Sequence, residues 1–263
     1  MSRLQELFGR KPEHILNVYF TAGYPGLNDT GRIIRALDDA GADLIEVGMP
    51  YSDPLADGPT IQESGMKAIR NGMTLPLLFE QIAEARQHTE IPLVLMGYFN
   101  PVMQYGEQRF FDRCAEVGID GLILPDLPVY EYENFYREGI EKAGLDMSFL
   151  ITPQTSEDRI RKIDALSTGF VYMVSNSAIT GAQSGISPEQ IAYFERIRGM
   201  KLESPRLIGF GISSHETFST ACQYANGAII GSAYIRALGM GVPVAEATHQ
   251  FVQQILKTSI PQD

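Results

Sequence analysis

Ala40-Gly41-Ala42-Asp43-Leu44-Ile45-Glu46-Val47 ends a helical period near a glycine and turns at once into a short apolar run. The same junction recurs at Val117-Gly118-Ile119-Asp120-Gly121-Leu122 and at Tyr224-Ala225-Asn226-Gly227-Ala228-Ile229. Glycine suits the end of a helix because it accepts the left-handed backbone that closes the last turn. Outward from these junctions, apolar runs of strand length lie at 16–20, 44–47, 93–96, 121–124, 147–151, 170–174, 207–210 and 228–230. Each precedes a polar turn and a longer segment of helical periodicity, which is the alternation of a parallel sheet. The runs are continuously apolar rather than strictly alternating, as expected of strands covered on both faces. Eight such units in 263 residues fit the α/β class, as a closed (β/α)8 TIM barrel in a single domain spanning 1–263. An open doubly wound sheet would place a glycine-rich fingerprint after the first strand. The chain reads Thr21-Ala22-Gly23-Tyr24-Pro25-Gly26 there, which does not match. The polar, proline-containing tail 257–263 is expected to fray.

Composition narrows the function classes. With 44% hydrophobic and 20% charged residues the chain has material for a sizeable core. Lys plus Arg total 21 against 32 Asp plus Glu, a net charge of −11, which disfavours binding a polyanion such as nucleic acid. No apolar run approaches the roughly 18 residues of a membrane span, and Met1-Ser2-Arg3-Leu4-Gln5-Glu6 carries no secretory signal, so a cytoplasmic protein is expected. Cys114 and Cys222 offer neither a disulfide framework nor a metal motif and read as small buried hydrophobes. His14, His88, His215 and His249 lie outside the expected strands and far from one another, so no metal site is expected. None of the six lysines falls in a strand, where an imine-forming aldolase would need one desolvated. Carboxylate acid–base chemistry without a cofactor remains.

Chemistry in such a barrel belongs to the loops beyond the strand C-termini. The densest signal there is Glu46-Val47-Gly48-Met49-Pro50-Tyr51-Ser52-Asp53-Pro54-Leu55-Ala56-Asp57-Gly58. Glu46 interrupts an apolar strand, where an ionised carboxylate is costly unless paired or neutralised. If Leu44 and Glu46 share the inward face, Glu46 can act with a raised pKa as a proton-transfer group. Asp53 and Asp57 follow in a loop stiffened by proline, and two acids in different surroundings can take different roles. The competing reading pairs Glu46 with a base near a barrel end and leaves Asp53 and Asp57 as turn caps. Glycines at Gly181, Phe210-Gly211 and Gly231-Ser232 follow the sixth, seventh and eighth strands. Barrels commonly bind phosphate there on backbone N–H groups.

The 45–58 stretch resembles the signature of the tryptophan synthase alpha chain family. The resemblance continues through Phe20-Thr21-Ala22-Gly23-Tyr24-Pro25, Met96-Gly97-Tyr98-Phe99-Asn100-Pro101, Leu124-Pro125-Asp126-Leu127-Pro128, Ile179-Thr180-Gly181, Gly209-Phe210-Gly211-Ile212-Ser213 and Gly231-Ser232. It implies retro-aldol cleavage of indole-3-glycerol phosphate to indole and glyceraldehyde 3-phosphate in L-tryptophan biosynthesis. By motif position it assigns proton transfer to Glu46 and acceptance of the indole N–H to Asp57. It places Tyr172 and Thr180 in the substrate pocket, and Gly181, Phe210, Gly211, Gly231 and Ser232 at the phosphate. It further implies a beta chain as partner in an alpha2beta2 heterotetramer, with pyridoxal phosphate in that partner and no cofactor here. Asp53, Pro54, Tyr98, Asn100 and Pro101, on loops at the active-site face, are then expected to dock it. One departure is Ser175-Asn176-Ser177, where many members carry Ser-Arg, so an arginine that would steady the closed loop is missing. Rival readings are another phosphate-binding barrel enzyme, or a silent barrel that only activates a beta subunit.

Overall fold

The computed structural model describes residues 2–175, 186–209 and 211–257. Among these residues nine strands form one sheet: β1 (Ile15–Thr21), β2 (Leu44–Gly48), β3 (Leu93–Met96), β4 (Gly121–Ile123), β5 (Asp146–Met147), β6 (Phe149–Ile151), β7 (Val171–Val174), β8 (Arg206–Gly209) and β9 (Gly227–Ile230). Every pairing is parallel, in the order β5-β4-β3-β2-β1-β9-β8-β7-β6. The run expected at 147–151 is two strands, because its first half bonds to β4 and its second to β7. Ser148 joins them: its N–H donates to Leu122 O at 3.0 Å, and its Oγ accepts the Phe170 N–H at 3.0 Å. The two edges of the sheet are thus consecutive in the chain, and the barrel closes through eight staves.

Alternation along each strand divides the core in two. Leu16, Val18, Phe20, Ile45, Val47, Leu93, Leu95, Ile208 and Ile230 belong to the larger cluster, which includes the helix faces outside the sheet. Ile15, Leu44, Val94, Ile123, Phe170, Tyr172, Leu207 and Ile229 fill the barrel interior. Helix Arg3–Arg10 plugs the N-terminal end, with Leu4 and Leu7 in that interior cluster. Its N-cap is Ser2, whose Oγ accepts the Gln5 N–H and donates to Asp146. At the same end Arg86 and Asp120 form a buried ion pair at 2.9 Å.

Two expectations need correction. The stretch 98–105 is not a loop after its first residue but a helix, Phe99–Tyr105. Asp126 explains it: both its carboxylate oxygens accept the Phe99 N–H, at 2.9 and 3.1 Å, and Pro101 lies in the first turn, where it is tolerated. Cys114 is buried as expected, but Cys222 is only partly covered. Asn176, Thr180, Gly181 and Phe210, and the tail beyond Lys257, lie outside the described residues.

Candidate active site

Glu46 is fully buried, in register with Tyr19 of β1 and Val94 of β3, and two residues beyond the interior Leu44 it faces the inside of the barrel. Asn17 Nδ2 donates to its Oε1 at 2.5 Å, while Oε2 has no partner among the described residues. Burial pushes its pKa up to about 8, against the opposing pull of the Asn17 bond. Among the described residues no base pairs with it, so the competing sequence reading of a structural ion pair is not what they present.

Asp57 sits half-buried in the loop after β2. Burial raises its pKa to about 6, and a hydrogen bond from the Tyr98 hydroxyl opposes that rise. The same hydroxyl accepts the Ala56 N–H at 2.8 Å, and the Tyr98 ring packs on Tyr51 with centroids 5.2 Å apart. Tyr98, expected on a docking surface, is 8% exposed and fastens the Asp57 loop to the barrel.

Asp57 also lines a cavity of about 130 Å³ at the C-terminal mouth, with Tyr19, Met96, Tyr172, Gly211, Ile212, Ile229, Gly231 and Ser232. Apolar walls carry a few polar groups, the make-up of a small-ligand site. Of the residues expected there, Asp57, Tyr172, Gly211, Gly231 and Ser232 meet in this cavity. Glu46 contributes no surface to it, being sealed within the barrel beside Tyr19. Two glycines make room for the tyrosines. A Cβ on Gly48 would fall 2.2 Å from the Tyr19 hydroxyl, and one on Gly209 would fall 2.4 Å from the Tyr172 hydroxyl. Gly211 has a φ of +78°, which a side chain would strain. Burial drives the hydroxyl pKa of both Tyr19 and Tyr172 upward, so both remain neutral donors.

Asp53, Leu55 and Asn100 are exposed at the same face, while Pro54 and Pro101 are partly covered. Sequence reasoning missed Asn17, Tyr19, Met96, Ile212 and Ile229. For Asn17 a signal was present, since it is a polar residue inside an apolar strand, as Glu46 is. For Tyr19 the signal was its spacing of two from Asn17, which puts both on one face. Among the described residues no group of three or more His, Cys, Asp or Glu is placed to hold a metal ion, and no helix is long and apolar enough to cross a membrane.

With this geometry in place, comparison gives a consistent result. Residues 8–260 match the family model described as tryptophan synthase alpha chain. A tryptophan synthase alpha chain from Flavobacterium psychrophilum is 56% identical over 238 residues, covering 90% of this chain and 94% of the relative. One from Parabacteroides distasonis is 50% identical over 255 residues, covering 97% and 99%. Among solved structures, tryptophan synthase subunit alpha from Legionella pneumophila superposes with a TM-score of 0.87 at 29% identity, covering 98% of each chain. A chain of the tryptophan synthase complex from Pyrococcus furiosus gives 0.84 at 34%, covering 94% and 99%.

Proposed function

This chain belongs to the tryptophan synthase alpha chain family, and from that premise we propose how its residues carry out the alpha reaction. The reaction is the retro-aldol cleavage of indole-3-glycerol phosphate to indole and glyceraldehyde 3-phosphate, a carbon–carbon lyase step of L-tryptophan biosynthesis. Three events are required. A proton is added at indole C3, the positive charge developing on the ring is stabilised at N1, and a proton leaves the glycerol hydroxyl as the C3–glycerol bond breaks.

The observation that carries the assignment is the placement of two carboxyls, Glu46 buried inside the barrel and Asp57 lining the cavity, where burial pushes their pKa values up to about 8 and about 6. At pH 7 the first is mostly a protonated acid and the second mostly an anion, so the barrel holds a donor sealed beside Tyr19 and an acceptor that lines the cavity. Glu46 gives its proton to C3 and afterwards takes the hydroxyl proton. Asp57 accepts the indole N–H and gains strength as the ring becomes cationic, a charge-directed contribution on the order of 3 kcal/mol. Tyr172, which lines the cavity, packs against the substrate ring, and the family motif assigns Thr180 to the same pocket. The phosphate is held on backbone N–H groups at Gly181, Phe210, Gly211, Gly231 and Ser232, and the Ser232 hydroxyl adds a donor. A chain of net charge −11 needs such local dipoles to bind a dianion.

The indole passes to a beta chain in an alpha2beta2 assembly, with pyridoxal phosphate on the partner and none required here. Supporting this is the exposure of Leu55 (92%), Met103 (54%), Tyr130 (65%) and Phe135 (65%) on the segments after β2, β3 and β4, which are neighbours in the sheet. Apolar side chains gathered at one rim suit an interface. Asp53, Pro54, Asn100 and Pro101 border them, and Tyr98 supports the face from within. The setting is the cytoplasm.

The test is indole release from indole-3-glycerol phosphate, with and without a beta chain. Release in both conditions, faster with the partner, is expected. Release in neither would leave a silent activating barrel, and a rate indifferent to the partner would remove the expected activation by the beta chain.

A further inference from the structure

Asn17 is fully buried inside an apolar barrel, yet the fold makes little other use of it. It pairs in register with Leu44, two residues nearer the strand N-termini than the Tyr19–Glu46 pair. Its Nδ2 donates to Glu46 Oε1 at 2.5 Å, and its own Oδ1 has no partner among the described residues. A buried acceptor left unsatisfied costs stability, so packing alone would favour an apolar side chain here. Among the described residues the one side-chain hydrogen bond of Asn17 goes to Glu46, whose other oxygen, Oε2, has no partner there either.

We propose that Asn17 is a positioning residue for proton transfer: its carboxamide N–H holds Glu46 through Oε1, which leaves Oε2 as the oxygen that carries and delivers the proton. This rests on the reading of Glu46 as the proton-transfer group. The titratable groups that face Glu46 are Tyr19 from β1 and Tyr172 from β7, and both of these also feel the charge of Asp57 in the loop after β2. Tyr19 and Tyr172 are neutral and Asp57 is an anion, so none supplies a cation to stabilise the carboxylate. The Asn17 N–H is the donor that does, and it keeps the carboxyl from being locked in its acid form by burial.

The experiment compares the protein with Asn17→Leu, which keeps the branched shape and removes the amide. Glu46 is titrated directly by its infrared carboxyl band, assigned through its loss in Glu46→Gln. The midpoint is expected to rise by about one pH unit, since a hydrogen bond to a charged group is removed. The upper limb of the kcat/KM profile for indole release, with the beta chain present, is expected to move with it. Affinity for inorganic phosphate is expected to stay the same. A midpoint unchanged from the wild type overturns the proposal, as does equal loss at every pH with no shift. If the leucine variant does not fold, Asn17→Ala removes the same donor without added bulk. Full-rate release by Glu46→Gln would defeat the reading of Glu46 while the infrared shift still judged the Asn17 contact.

Discussion

At the scale of single residues, Glu46, the proposed proton-transfer group, is a carboxyl that the fold would be more stable without. Glu46 has a folded pKa near 8, above the ordinary carboxylate value it has when unfolded. The folded state therefore holds its proton more tightly. Stability associated with the group is present in acid and is lost as pH rises towards and through 8. Glu46→Gln should abolish indole release, yet above pH 8 its free energy of unfolding in denaturant should exceed that of the wild type by a few kcal/mol. Parallel stability curves for the two proteins from pH 5 to 9 would contradict the burial argument. Asp57 has the same direction of shift with a smaller displacement. With Asp57 acting as the anion and Glu46 as the acid, as proposed, activity should fall below about pH 6 and above about pH 8. Asp57→Asn should lower kcat on the order of a hundredfold with little change in folding. Unchanged turnover in that variant would remove Asp57 from the mechanism.

At the scale of elements, loops are fastened to strands by contacts that a list of motif residues does not reveal. The Asp57 loop is held by the Tyr98 hydroxyl, which accepts from Ala56 and donates to Asp57. Tyr98→Phe keeps the ring against Tyr51 and removes both bonds. Turnover should drop about tenfold or more, and a rate equal to the wild type would show that the loop needs no such tie. On the opposite side of the mouth, Gly211 sits at positive φ where backbone can approach an anion closely. Gly211→Asp should weaken phosphate-bearing ligands far more than free indole, measured by calorimetry with each. Equal weakening of both would move the phosphate elsewhere.

At the scale of the whole molecule, the two ends of the barrel do different work. The N-terminal end carries the helical plug and the Arg86–Asp120 pair, in which Asp120 also accepts the Leu93 N–H at 2.9 Å. The C-terminal end carries the acids, the cavity and the exposed apolar rim. Arg86→Met leaves the buried Asp120 without its closest cation, and should cost about 3 kcal/mol in urea unfolding while kcat of the surviving protein is unchanged. An unaltered unfolding midpoint would mean that Arg3, 3.3 Å from Asp120, suffices by itself.

The amino-acid sequence by itself determined the βα repeat, the barrel, and the position of Glu46 and Asp57 at the ends of recognisable motifs. It could do so because strand and helix periods and glycine-ended junctions are local properties, written within a few residues of one another. Tertiary structure alone decided what surrounds each group. Asn17 and Glu46 are 29 residues apart in the chain, and Tyr98 and Ala56 are 42 apart. Their meeting depends on neighbouring staves closing in one register. Tertiary structure also split the fifth strand at Ser148, because its two halves bond to different neighbours, and made a helix of 99–105 by bringing Asp126 to its first N–H. A proton affinity or a cap of this kind is a property of the space around a side chain, and that space is fixed only when the barrel closes.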